Sequence, residues 1–396
     1  MARSLFEIRI ALLQRVLRQN GWDGLLLTRA DNFAMATGGK RNYVSTQSDL
    51  GACGLYIPAE GRPEYAGNNI EATRIMDEEL ASPACSAAPF RWFEESPAQW
   101  CARRFQGKLV SDDGALGENV HSALAPLRSI LLPEECARYR ELGRLAAEAM
   151  EATLASITTG MPENEISARL IYEGQRRGCL VPVSLIAADD RILRYRHPLP
   201  TRPGAANEKR VDRYVMVVAG MVRDGLSVSV TRFRQVQNID SDTADAYARI
   251  CAVDACMQEA TRPGETLGGV FEACQQAYTR YGFAPDEWHN HHQGGSTGYA
   301  ARTCKGAPGE TFPCLDAAWA DALRQALGED IPFSTAFAWN PSAPGVKSED
   351  TFLLHEDGSQ EILTATPALP PVHLAAHLGH PTTVIKSGMA PPDFQA

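Results

Sequence analysis

Three of the nine histidines, His289, His291 and His292, fall within four positions in the stretch EWHNHHQGGSTGY, Glu287 to Tyr299. Imidazole titrates near neutrality and ligates metals, so the cluster admits three readings: a metal site, a proton relay, or a loop of solvated rings. Three further segments carry reactive side chains: RYRHPLPT with His197, VVAGMVRDGLSVSVTR with Ser229 and Arg232, and AWNPSAPGVKSEDT with Trp339, Asn340, Lys347, Glu349 and Asp350. His197 suits general acid–base work; its bland alternative is a loop-end ring packed by Pro198. Glu349 suits holding a cationic group or orienting His292, or else it is a carboxylate satisfied beside Lys347. Asn340 suits donating to a carbonyl or oxyanion, or else it is a turn residue before Pro341. Arg302, in GYAAR, and Arg232, in VSVTR, offer guanidinium forks for a substrate carboxylate; the alternative is that each pairs with Glu349 or Asp350. Trp288 and Trp339 flank these segments as packing groups or substrate walls.

The elements that must position these groups can be read from the pattern. DGLLLT and CGLYIP read as buried strands, NNIEATRIMDEEL as a helix, and MARSLFEIRIALLQRVLRQNGWDG as an amphipathic helix ended near Gly21. RSILLPEECARYRELGRLAAEAMEATLASI opens a long helix at Pro-Glu-Glu, which places a domain boundary near Leu127 to Leu132. Beyond it TGMPENEISARLIYEGQRRGC overlays PGETLGGVFEACQQAYTRYGF, with 18 residues from Gly160 to Gly178 and again from Gly264 to Gly282. Each glycine pair brackets a helix, another helical run precedes it, and strand-like segments follow. A duplicated domain is expected, its two sets of strands meeting in a central sheet with a cleft at the join. The C-terminal stretch TPALPPVHLAAHLGHPTT, with His373, His377 and His380, is expected to be irregular surface.

A formal charge of −10, and no run of five or six like charges, argue against nucleic acid and anionic membranes as partners. No apolar stretch approaches the ~20 residues of a spanning helix, and the N-terminal stretch lacks the features of a secretory signal, so a cytoplasmic protein is expected. Ten cysteines without a Cys-x-x-Cys pair read as reduced, buried thiols.

GLSVSVTR, HHQGGSTGY, AWNPS and KSEDT, in this order and spacing, resemble the creatinase, prolidase, aminopeptidase P and methionine aminopeptidase family. The resemblance implies an α+β pita-bread fold with a smaller α/β N-terminal domain, divided as 1–130 and 131–396. It also implies a ligand set. The family's peptidases hold two divalent metals with two Asp, a His and two Glu, and those positions fall here on Val218, Ser229, His292, Asn340 and Glu349. Valine cannot ligate, serine and asparagine are neutral, and two neighbouring dications need carboxylates to offset their repulsion. The usual two-metal chemistry is therefore expected to be absent, with neither metal nor other cofactor; a single ion held by His292, Glu349 and one of His197, His291 or His289 is the alternative. His197 matches the position at which metal-free creatinase uses a histidine as acid and base.

The expectation is a metal-independent, creatinase-like hydrolase cleaving a C–N bond of a small amino-acid derivative. Its catalytic residues would be His197, His292 and Glu349; its substrate-binding residues would be Arg302, Arg232, Asn340, Ser229, Trp339 and His291. Gly294 and Gly295 would let backbones approach closely, and a strand there would turn His291 to the face opposite His292, with His289 solvated. The substrate would be zwitterionic or anionic and the protein a homodimer, with Arg41 a candidate to reach the neighbour's cleft. A lyase or rearrangement enzyme on the same pocket, and a non-catalytic binding protein, are the alternatives.

Overall fold

A computed structural model describes residues 3–80, 85–328, 330–379 and 382–395. The chain divides into two compact units. The first runs to Glu135 and includes Asp224–Leu226 and Ala318–Pro332; the second comprises Cys136–Arg223, Ser227–Ala317 and the chain from Phe333 onward.

In the first unit the helix Leu5–Asn20 starts at Ser4, whose side chain and that of Glu7 satisfy each other's backbone N–H groups, and stops at Gly21. Leu12, Leu13 and Leu17 supply its buried stripe. The sheet is built from β1 (Gly24–Arg29), β2 (Leu50–Pro58), β3 (Glu64–Ala66), β4 (Ser86–Ala87), β5 (Leu109–Ser111) and β6 (Glu118–Asn119), in the spatial order β4-β3-β2-β1-β5-β6. β1 lies inside, antiparallel to β2 and parallel to β5, which is why Leu25, Leu26 and Leu27 are apolar on both of its faces. The helix expected over NNIEATRIMDEEL shortens to Ala72–Arg74 and then widens into a π-helical turn over Ile75–Glu79. A tertiary contact competes there: buried Glu79 takes the Arg41 backbone N–H and guanidinium at 3.0 and 2.8 Å. That ion pair ties Arg41 to its own chain.

The second unit contains two helix pairs. Pro133–Ser156 precedes Glu163–Gln175, and Ser241–Ala260 precedes Leu267–Arg280. Gly160, Gly178, Gly264 and Gly282 all have φ between 74° and 82°, the left-handed conformation that glycine adopts without penalty, so the repeat seen in the sequence is a repeat of backbone turns. After the first pair come β7 (Leu180–Ala188), β8 (Tyr214–Arg223) and β9 (Leu226–Gln235) in one three-stranded sheet. After the second come β10 (Gly294–Thr297), β11 (Cys304–Lys305), β12 (Ser334–Trp339), the hairpin β13 (Ser342–Ala343) and β14 (Val346–Lys347), β15 (Asp350–His355) and β16 (Gln360–Ile362). Five of these form a sheet in the order β11-β10-β12-β15-β16, every pairing antiparallel.

The expected single central sheet is instead two sheets joined by narrow seams. Thr231 bridges Glu349, and the Ser227 N–H donates to Gly298 O at 2.8 Å. Apolar residues from both copies share one core, among them Val218, Phe233, Val253, Val270, Phe337, Trp339 and Phe352.

The C-terminal stretch departs from expectation. It forms the helix Leu374–Leu378, and Leu374, Leu378, Val384 and Met389 join that core. Lys386, only 1% exposed, lies 2.8 Å from buried Asp254. Proline and alanine richness concealed anchors spaced too irregularly to show a period. His373 is exposed and His377 half-buried, while His380 lies outside the described residues. None of the ten cysteines forms a disulfide, and eight of them are buried.

Candidate active site

The polar segments converge in the second unit through strand register. β10 pairs with β12 so that Gly294 faces Trp339, and β12 pairs with β15 so that Trp339 faces Asp350. The next positions along these strands, Asn340 and Glu349, are therefore brought opposite each other, with Gln293 beside them: the Asn340 N–H donates to Gln293 O at 3.1 Å, and Asn340 Nδ2 donates to Glu349 Oε1 at 3.3 Å. Close strand approach requires the Gly-Gly pair. A Cβ on Gly294 would lie 2.2 Å from Ala338 O, and one on Gly295 2.0 Å from Cys304 O.

Glu349 is the hub. Its Oε1 also accepts from Arg302 Nη2 at 3.1 Å, and its Oε2 accepts from Thr231 Oγ1 at 2.7 Å and lies 3.4 Å from Lys347 Nζ. Burial alone would raise its pKa, but Lys347, Arg302 and Thr231 outweigh burial and hold the carboxyl below its ordinary value. Lys347 is pushed down: burial outweighs Glu349, and Arg302 adds to the effect. Lys347 and Arg302 thus both face the single carboxylate of Glu349.

The three imidazoles gather beside this hub. His197 Nε2 lies 2.9 Å from His291 Nε2, and the His291 and His292 rings stack with centroids 4.4 Å apart at 25°. The loops bearing them are tied together by an ion pair between Arg196 and Glu287. Gln293 fixes the loop from below, donating to Trp288 O and His291 O while accepting from the Tyr278 hydroxyl. Burial, then Lys347, lowers the pKa of both His291 and His197; burial, then Arg302, brings His292 down to about 4. All three rings are thus neutral at neutral pH.

Several expected roles change. His291 shares the face of His292, because β10 begins only at Gly294 and the irregular backbone before it does not alternate. Arg232 spends all five N–H donors inside the protein, on Thr366 Oγ1, Thr231 O, Glu349 O, Asp350 Oδ1 and Thr364 O, and has none for a substrate. Arg302 binds Glu349, Ser229 Oγ at 3.4 Å and Ala301 O, while its buried Nε–H has no partner among the described residues. Trp339 is fully buried, donates to Thr261 Oγ1 and stacks near Phe337, so it is a core residue rather than a substrate wall. His289 is exposed and lies against Trp288, which packs edge-on to Phe271.

Thr231 and Gln293 were missed in the sequence and Lys347 was read only as a counterion. The strand period of two was the available signal: Ser229 and Thr231, like Lys347 and Glu349, are two apart and share a face, whereas Arg232 and Asp350 pair on the other.

A pair of dications does not fit the residues at the positions where the resemblance places the metals. Val218 packs in the core, Ser229 Oγ accepts from Arg302, Asn340 turns its NH₂ group toward the site, and both oxygens of Glu349 already meet donors of this chain. The ligand atoms left unengaged are imidazole nitrogens on three neighbouring rings and Asn340 Oδ1, which has no partner among the described residues.

A model of metallopeptidase family M24 matches residues 137–354. The Xaa-Pro dipeptidase of Pyrococcus horikoshii is 23% identical over 249 residues, 62% of this chain and 65% of that protein. The Xaa-Pro dipeptidase of Pyrococcus furiosus is 22% identical over 247 residues, 62% of this chain and 66% of that protein, so the match spans slightly under two thirds of either relative. The prolidase of Thermococcus sibiricus has a TM-score of 0.71 to this chain at 17% identity, over 92% of this chain and 98% of that one, a likeness that shows the pita-bread fold. The family model covers more than half of the 396 residues, including every histidine of the cluster and the Glu349 hub, and the chain belongs to metallopeptidase family M24.

Proposed function

We propose that this protein is a metal-independent hydrolase of the creatinase kind, cleaving a C–N bond in a small zwitterionic or anionic amino-acid derivative, as a cytoplasmic homodimer. The observation that carries the reading is Glu349: the acid at a family metal position is bound by Lys347, Arg302, Asn340 and Thr231 instead of being bare. Fixed cations beside a neutral base are a different apparatus from a pair of metals. The names of the relatives, dipeptidases and prolidases, favour an amide of about dipeptide size as the target.

His197 is exposed, neutral and hydrogen-bonded to His291, which makes it the proton carrier. It takes the proton of the attacking water and returns it to the departing nitrogen, with His291 and His292 fixing its ring. Arg302 and Lys347 attract a substrate carboxylate and favour the oxyanion formed at the attacked carbon. Ser229 and Asn340 act through Arg302 and Glu349, keeping those charges in place. Arg232 and Trp339 have no part in catalysis.

The test is turnover under chelation. Protein purified with a strong chelator is screened against dipeptides and N-acyl or amidino amino acids for amine release, with metal content measured in the same samples. Turnover with well under one equivalent of metal supports the proposal. Activity that appears only with two bound ions refutes it, and tight binding of a metabolite without turnover replaces it with a binding protein.

A further inference from the structure

Among the described residues, His197, His291 and His292 present ligand atoms that all lie within 4.8 Å of one another. We propose that these three imidazoles form a site for one borderline divalent transition-metal ion of the Zn²⁺ class, built from nitrogen donors in place of the family's carboxylates. Binding there inhibits, because the ion takes the His197 lone pair; that consequence, unlike the binding itself, rests on the proton-transfer role given to His197 above.

The geometry is close to what such an ion requires. Tetrahedral zinc with Zn–N of about 2.0–2.1 Å separates its ligand nitrogens by roughly 3.4 Å. The His197–His291 separation of 2.9 Å lies below that value, and the 4.8 Å limit of the group lies above it. Rotation of the exposed His197 ring opens the first contact and gives the ion an entry path. His291, 8% exposed, holds its ring in place, and its buried Nδ1 has no partner among the described residues; neither has that of His292. A ring with one unengaged nitrogen can shift its proton there and turn the other lone pair toward an ion. Three protein ligands leave a fourth position for water.

The surroundings set selectivity and strength. Imidazole donors favour Zn²⁺, Co²⁺, Ni²⁺ and Cu²⁺, whereas Mg²⁺, Ca²⁺ and Mn²⁺ favour the oxygen donors this group lacks. The charged groups acting on the rings are Lys347, Arg302, Lys305 and Arg196, with Glu349 opposing them, so the local potential resists a dication. No carboxylate meets either orphaned Nδ1 among the described residues. Affinity should therefore be about 10–100-fold weaker than at a buttressed three-histidine site.

Chelator-treated full-length protein is titrated with Co²⁺, following its visible ligand-field bands, and with Zn²⁺ by calorimetry. One equivalent of four-coordinate Co²⁺, displaced by Zn²⁺ and not by Mg²⁺, is expected. His197→Ala should weaken it at least tenfold, and His291→Ala should do the same if circular dichroism shows it folded. Because His197 is exposed, its variant keeps the test decisive even if His291→Ala fails to fold. Glu349→Gln should leave Co²⁺ affinity within about threefold. Absence of binding, two equivalents, or an affinity lost with Glu349→Gln but kept in His197→Ala overturns the proposal. None of these readouts depends on catalysis, so the site and the hydrolase reading stand or fall separately.

Discussion

Lys347 Nζ lies 3.4 Å from Glu349 Oε2, and each side chain is only 3% exposed. A buried ion pair contributes little net stability relative to an apolar pair, but removing one partner strands the other. The pair is therefore better understood as a fixed charge arrangement than as a stability device.

Removing the cation alone should be costly. Lys347→Met leaves Glu349 buried with Arg302 as its one remaining cationic partner and is expected to destabilise by about 3–5 kcal/mol. The double variant Lys347→Met with Glu349→Gln should recover most of that loss. Denaturant unfolding measures both, and a single-variant cost below about 1 kcal/mol would show that Arg302 and Thr231 hold the Glu349 charge without Lys347.

Glu349 makes stability depend on acid. Its folded pKa lies below the ordinary 4.5, so its contribution is present above pH 4.5 and is lost as pH falls through the folded value. Thermal midpoints should fall more steeply below pH 4.5 in the native protein than in Glu349→Gln, and parallel curves would contradict the assignment.

The imidazoles predict a second acid effect. His292 has its pKa at about 4 rather than 6.5, so between those values the unfolded chain binds a proton that the folded chain refuses, and stability falls as pH drops through that window. Nuclear magnetic resonance of labelled histidine should show the His292 ring untitrated near pH 6.5. A midpoint there would mean that the ring is solvated.

The two arginines should separate cleanly. Arg302→Gln is expected to raise KM at least tenfold, about 1.4 kcal/mol of binding, with a smaller change in kcat. Arg232→Gln leaves buried Asp350 with only Lys386 at 3.8 Å and the Thr364 hydroxyl, and should reduce stability by about 1–3 kcal/mol while leaving KM unchanged in the folded fraction. The reverse pattern would exchange their roles.

Much of the fold was legible because it depends on local rules. Leu5–Asn20 announced itself through its capping residues and apolar stripe, the duplication through four glycines that must turn left-handed, and β1 through an apolar run only an inside strand can carry. The helix over NNIEATRIMDEEL is present but confined to Ala72–Glu79, and its wide second turn ends at Glu79, whose partner Arg41 lies 38 residues away. The C-terminal stretch was misjudged because Leu374 and Lys386 are anchored by partners no local pattern reveals.

For the site, the sequence determined which residue types stand where the resemblance places the metals, namely Val218, Ser229 and Asn340, none of which carries a carboxylate. Only the tertiary structure decided which arginine is committed, that Trp339 belongs to the core, and that His291 turns toward His292 and His197. Side-chain chemistry is fixed by sequence, whereas a side chain's partner depends on register and burial, which arise only when strands distant along the chain are brought together.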